Sequence, residues 1–123
     1  MSYPDYSLRE LIGFIKAFVD ERNWHRFHTP SALALSAAIE LGELLELFQW
    51  RSEEDVVDAL ADNKFKESLS QEIADVLIYL LRLTDVAGID PSAAIIEKLK
   101  KNALKYPSKE WRGRAPNKTR TDR

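Results

Sequence analysis

The sequence predicts an all-α fold: a bundle of four main helices plus a short connector helix, completed by homo-oligomerisation. Three observations carry that prediction. Apolar residues recur at one-face helical spacing in segments separated by capping and breaking residues. No segment shows a convincing strand pattern. Two of the four helices are apolar on almost every side, so each needs covering all round. A chain of 123 residues holds too few other helices to cover both, which points to a subunit interface that finishes the core.

The first helix starts at Ser7, which with Glu10 has capping-box spacing. Leu8, Leu11, Ile12, Ile15, Phe18 and Val19 form its apolar stripe, which stops near Glu21. A loop rich in aromatics and histidines follows: Trp24, His25, Phe27 and His28. Thr29-Pro30 restarts the chain, with proline suited to a first helical position, and the second helix runs from about Ser31 to Phe48. Ser52 and Asp55 cap a short connector helix through Leu60, and Asp62-Asn63 breaks it. The third long helix covers Phe65 to about Ala87, with Gly88 as its C-terminal cap. Asp90-Pro91 opens the fourth, which runs to Lys105 before Pro107 stops it. Residues 1–107 are therefore read as one domain, and 108–123 as a basic, flexible tail.

Composition narrows the function. With 45 % apolar and 31 % charged residues the chain is an ordinary globular sequence. A net charge of −2 argues against a nucleic-acid polymer as partner, since such domains are strongly basic. The absence of cysteine excludes disulfides and thiolate metal sites. The apolar runs are too short to span a bilayer. The first residues carry no basic-then-apolar signal, so a cytoplasmic location is expected.

The chemistry is concentrated in the second and third helices. Glu40 and Glu43 are spaced i, i+3 and share one helix face, among the apolar neighbours Ile39, Leu41, Leu44, Leu45 and Phe48. Glu72 and Asp75 repeat the device ahead of Val76, Leu77, Ile78, Leu80 and Leu81. Gly42, which costs about 1 kcal/mol of helix stability relative to Ala, suggests close approach by another backbone or a ligand; a packing contact would also explain it. Buried carboxylates carry a large desolvation penalty and repel one another, and divalent cations relieve both. Hard oxygen donors suit Mg²⁺, Mn²⁺ or Ca²⁺. A di-iron bundle would want Glu-x-x-His on two helices, and both histidines lie elsewhere. The alternative is plain: Glu-x-x-Glu also arises on solvated helix faces. Glu46 continues the row as an outer partner, a further ligand or a surface residue. Glu53, Glu54, Asp55 and Asp58 read as surface acids, with those of the first turn favoured by the helix dipole.

The run Glu40-Leu41-Gly42-Glu43-Leu44-Leu45-Glu46-Leu47-Phe48-Gln49-Trp50, followed by Glu72-Ile73-Ala74-Asp75-Val76-Leu77-Ile78-Tyr79, resembles the MazG-like superfamily of all-α NTP pyrophosphatases. Within it, the closer similarity is to the single-domain dCTP pyrophosphatase branch. The likeness extends from about Leu8 to Pro107 and includes Trp24, Phe27-His28, Lys98, Asn102 and Tyr106-Pro107. It implies that Glu40, Glu43, Glu72 and Asp75 ligate Mg²⁺, with Mn²⁺ as a substitute. It also implies that water cleaves a (d)NTP to (d)NMP and diphosphate, with dCTP or a 5-modified dCTP favoured. The assembly it implies is a dimer or tetramer with the pocket near subunit contacts.

Trp24, Phe27, His28, Trp50 and Tyr79 are the candidates for the base, by stacking or hydrogen bonding; aromatics at such positions also fill cores. Lys98 and Asn102 are the candidates for the triphosphate, although a basic C-terminal helix face also suits the dipole. Some family members carry a histidine in the first helix where this chain has Ile15. The rival class is a non-enzymatic, metal-binding helical interaction module, which would need neither the lysines nor the aromatics.

Overall fold

The computed structural model describes residues 3–116. Among these the chain is helical and has no strand, as the periodicity predicts. The α-helices are α1 (Leu8–Glu21), α2 (Pro30–Glu46), α3 (Glu53–Leu60), α4 (Asn63–Ala87), α5 (Pro91–Lys105) and α6 (Ser108–Trp111), with a single 3₁₀ turn at His25–Phe27. The chain divides into two compact units, Met1–Asp90 and Pro91–Arg123.

Short polar side chains set the helix starts. Ser7 Oγ accepts from Glu10 N–H at 3.1 Å while Ser7 N–H donates to Glu10 Oε1 at 3.0 Å, the reciprocal box that satisfies two orphan donors. Hydrogen bonding of the Glu10 carboxyl to the Ser7 backbone N–H, and then to its side chain, holds it below its ordinary value. Ser52 and Asp55 make the same box on α3 at 3.1 and 3.0 Å. Thr29 caps α2 ahead of Pro30. Asp62, expected only to break the chain, caps α4 by accepting from Lys64 N–H at 3.0 Å, so that helix begins two residues earlier than its apolar pattern.

Two helix ends close alike. At α4, Gly88 takes φ 70° and Ile89 N–H reaches back to Thr84 C=O at 2.8 Å. At α1, Asn23 takes φ 54° and Trp24 N–H reaches Val19 C=O at 3.1 Å. Both are left-handed terminations that satisfy the last carbonyls. The second folds Trp24 back along α1, where its ring meets Phe18 edge-on at 5.9 Å. The end of α2 unwinds instead: Leu47 to Gln49 make turn-type bonds three residues back, so the helix stops at Glu46 rather than Phe48.

In the first unit α4 packs chiefly on α2 and also against α1 and α3. Val19, Leu33, Ala37 and Phe65 are buried, Leu33 most completely at 1 % exposure. Phe48 meets Phe65 edge-on at 6.1 Å. Most of the remaining apolar surface of α2 and α4 is not covered. Leu35, Ile39, Leu45, Leu77 and Leu80 stay exposed, because each neighbour buries only the stripe it touches. The expectation that both helices are buried all round is therefore not met within one chain. Nor, among the described residues, does any atom beyond its own helix turn approach Gly42: a Cβ there would meet none within 4 Å. None of the described helices is long and apolar enough to cross a membrane.

In the second unit Lys98 and Asn102 sit one turn apart on α5, and Tyr106 packs edge-on against Trp111 at 5.0 Å. The stretch read as tail thus opens with the short helix α6. Residues 117–123 of that stretch lie outside the described residues.

Candidate active site

Packing α2 against α4 brings the two acidic pairs face to face. One carboxylate oxygen from each of Glu40, Glu43 and Glu72 lies within 4.8 Å of the others. Oε2 of Glu40 and Oε2 of Glu72 are buried and have no hydrogen-bond partner. Burial pushes the Glu40 carboxyl above its ordinary value, and Glu43, Asp75 and Glu72 add to the rise. Burial also raises Glu72, aided by Glu43, Asp75 and Glu46. Such atoms normally find a partner. Two buried, unpartnered oxygens among repelling carboxylates are the donor set that a hard divalent cation fits. Asp75 lies outside the tight group of three yet close enough to act on Glu40 and Glu72.

Asp75 opens instead onto a cavity of about 230 Å³. Ile15, Phe18 and Val19 of α1 form one wall, and Trp24 and His28 another. The third comes from α4, where Asp75, Ile78, Tyr79 and Arg82 stand at i, i+3, i+4 and i+7, a single helical stripe. Arg82 is buried at 7 % exposure. Its Nε donates to His28 Nδ1 at 3.2 Å and its Nη1 to Asp85 Oδ2 at 3.0 Å. Burial, then the positive charge of Arg82, holds His28 below its ordinary value. The cavity is mostly apolar with a few polar groups, the usual form of a small-molecule site.

Of the aromatic and histidine candidates, Trp24, His28 and Tyr79 line this cavity. Phe27 does not: it is 58 % exposed, with the Arg26 guanidinium over its ring at 4.8 Å. Trp50 lies outside the cavity as well, 93 % exposed and held at φ 65°, a conformation that is strained for a bulky residue. Lys98 and Asn102 belong to the second unit. Sequence reasoning missed Arg82. The signal was a lone cation inside the apolar run from Val76 to Leu83, two turns after Asp75.

Two packed helices that each bring an acidic pair to one point, beside an aromatic-walled cavity, define an all-α carboxylate-pair protein. The chain belongs to the MazG-like family, whose sequence pattern matches residues 35–116. It is 37 % identical to dCTP pyrophosphatase 1 of Rattus norvegicus over 112 residues, which cover 91 % of this chain and 66 % of that protein. The Homo sapiens protein of the same name is 33 % identical over 105 residues, covering 85 % and 62 %. The chain thus spans somewhat less than two thirds of the length of these relatives. A crystal structure of a pyrophosphatase from Archaeoglobus fulgidus superposes with a TM-score of 0.77 at 44 % identity, covering 87 % of this chain and 98 % of that one.

Proposed function

We propose that the protein is a Mg²⁺-dependent nucleoside triphosphate pyrophosphohydrolase, converting a (d)NTP and water to (d)NMP and diphosphate, with dCTP or a 5-modified dCTP preferred. The observation that carries this reading is the adjacency of two features. A three-carboxylate cluster with two unpartnered buried oxygens stands beside a cavity whose wall includes the fourth acid. A purely structural metal site would need no such cavity. The family and the names of the relatives support the same reaction.

Glu40, Glu43 and Glu72 would hold the cation, with Asp75 between it and the cavity. When bound, the cation supplies charge neutralisation for the triphosphate and activation of water. The remaining work falls to the chain. The carboxylates fix where the phosphates lie and repel any triphosphate that arrives without its cation. Trp24 and Tyr79 offer flat faces to a base, and the apolar wall from α1 keeps water from it. A metal-dependent attack at the α-phosphorus predicts monophosphate and diphosphate in equal amounts. Chromatography of products from canonical and 5-modified (d)NTPs, with and without Mg²⁺, is the test. Orthophosphate with accumulating NDP would rule the reaction out.

The assembly belongs to the same proposal. Leu35, Ile39 and Leu45 of α2 and Leu77 and Leu80 of α4 leave more apolar surface uncovered than an isolated subunit normally carries. Light scattering on the purified protein is expected to give a dimer or tetramer. A stable monomer at micromolar concentration would contradict this part of the reading.

A further inference from the structure

Resting on the reading of the cavity as the base site, we propose that Arg82 is a positioning residue. It locks His28 as the neutral ring with its hydrogen on Nε2, so that the cavity offers a fixed donor to an acceptor atom of the base. A guanidinium has only donors and does not lose its proton in a protein. The 3.2 Å bond from Arg82 Nε therefore requires a lone pair on His28 Nδ1. A neutral imidazole with a lone pair on Nδ1 carries its hydrogen on Nε2, and an imidazolium would have no lone pair to offer. The side-chain bond to His28 uses Nδ1 and leaves Nε2 as the ring's donor, and the ring lines the cavity.

Both ends of the arrangement are held. Asp85 grips Nη1 of Arg82 from one turn further along α4. His28 N–H bonds to His25 C=O at 3.1 Å, which fixes the backbone beneath the ring. Desolvation by burial and the charge of Arg82 disfavour the imidazolium, in the same direction as the geometry. The cavity wall is otherwise largely apolar, so a donor of fixed direction discriminates between bases: one that cannot present a carbonyl oxygen or ring nitrogen there leaves a desolvated N–H unpaired. Arg82 thus acts on selectivity through His28, at a position that the metal-binding acids do not control.

Long-range ¹H–¹⁵N NMR of the ligand-free protein at neutral pH, assigned with the His28→Asn variant, is expected to show His28 protonated on Nε2 and bare on Nδ1. The other tautomer, or an imidazolium, overturns the inference. This spectrum needs no turnover. An inactive wild type would sink the proposed reaction, and a wrong tautomer in an active enzyme would sink this inference alone. Arg82→Met should mix the tautomers and raise KM for dCTP about tenfold, a change of about 1.4 kcal/mol, with a smaller effect on kcat. Added to His28→Asn, the same substitution should cost less than about threefold, because its route through the ring is already gone. An equal cost on both backgrounds overturns the coupling. The wild-type spectrum decides even if loss of the partner of Asp85 makes Arg82→Met too unstable to purify.

Discussion

Replacing Glu72 by glutamine is expected to lower turnover at saturating Mg²⁺ by at least about 100-fold, since even groups that only support metal ligands are worth 10–100-fold. The metal-free variant should nevertheless melt no lower than wild type. Glu72 Oε2 is buried without a partner, and burial together with Glu43, Asp75 and Glu46 raises its carboxyl above the ordinary 4.5. Above that ordinary value the unfolded chain has released its proton while the folded chain still holds it. The folded state therefore binds more protons, and apo stability falls as pH rises from 4.5 through the raised value, then levels off. Glu40 contributes a slope of the same sign. Glu72→Gln removes one of these two penalties, so its apo melting temperature should vary less with pH than that of wild type. Melting curves from pH 4 to 8, read beside turnover, separate the alternatives. A variant that melts far below wild type yet hydrolyses nucleotide normally would mean that the acids serve the bundle and not the reaction.

What the sequence disclosed of this arrangement, and what it hid, follows from how far each signal reaches along the chain. Ser7 with Glu10, Thr29 with Pro30, Ser52 with Asp55, and Gly88 are local devices, complete within a few residues, and each stands where its spacing places it. The meeting of Glu40, Glu43 and Glu72 was legible because carboxylates on two apolar helices need a shared cation to relieve their burial and repulsion. Asp75, one turn beyond Glu72, stands at the edge of that group: it lines the cavity while its charge still acts on Glu40 and Glu72. Aromatic identity gave no orientation. The left-handed turn at Asn23 brings Trp24 to the cavity wall, while Phe27 and Trp50 lie outside it, and nothing in their own chemistry separates the three. The Arg82–His28 bond spans 54 residues between α4 and the 3₁₀ turn. No local pattern encodes it, although an arginine on an apolar stripe must find an acceptor somewhere.

Removing divalent cations is expected to abolish turnover, and adding back Mg²⁺ or Mn²⁺ to restore it. Every candidate ligand is a carboxylate: the chain has no cysteine, and the group formed by Glu40, Glu43 and Glu72 includes no histidine. Without a cation the site has two faults that worsen one another. Its carboxylates repel the triphosphate, and burial, together with their mutual repulsion, raises Glu40 and Glu72 above the ordinary carboxylate value. Protons and cations therefore compete for the same oxygens. Apparent Mg²⁺ affinity should rise with pH through that raised range and flatten once both groups have ionised. Cation binding should raise the melting temperature of wild type by mass action, and much less that of Glu72→Gln. Titrations of Mg²⁺ at several pH values, followed both by product formation and by thermal shift, check all of this on one preparation. Full turnover in excess EDTA would end the cation-dependent reading. Loss of turnover with no pH-dependent thermal shift would place the essential cation on the nucleotide instead of on Glu40, Glu43 and Glu72.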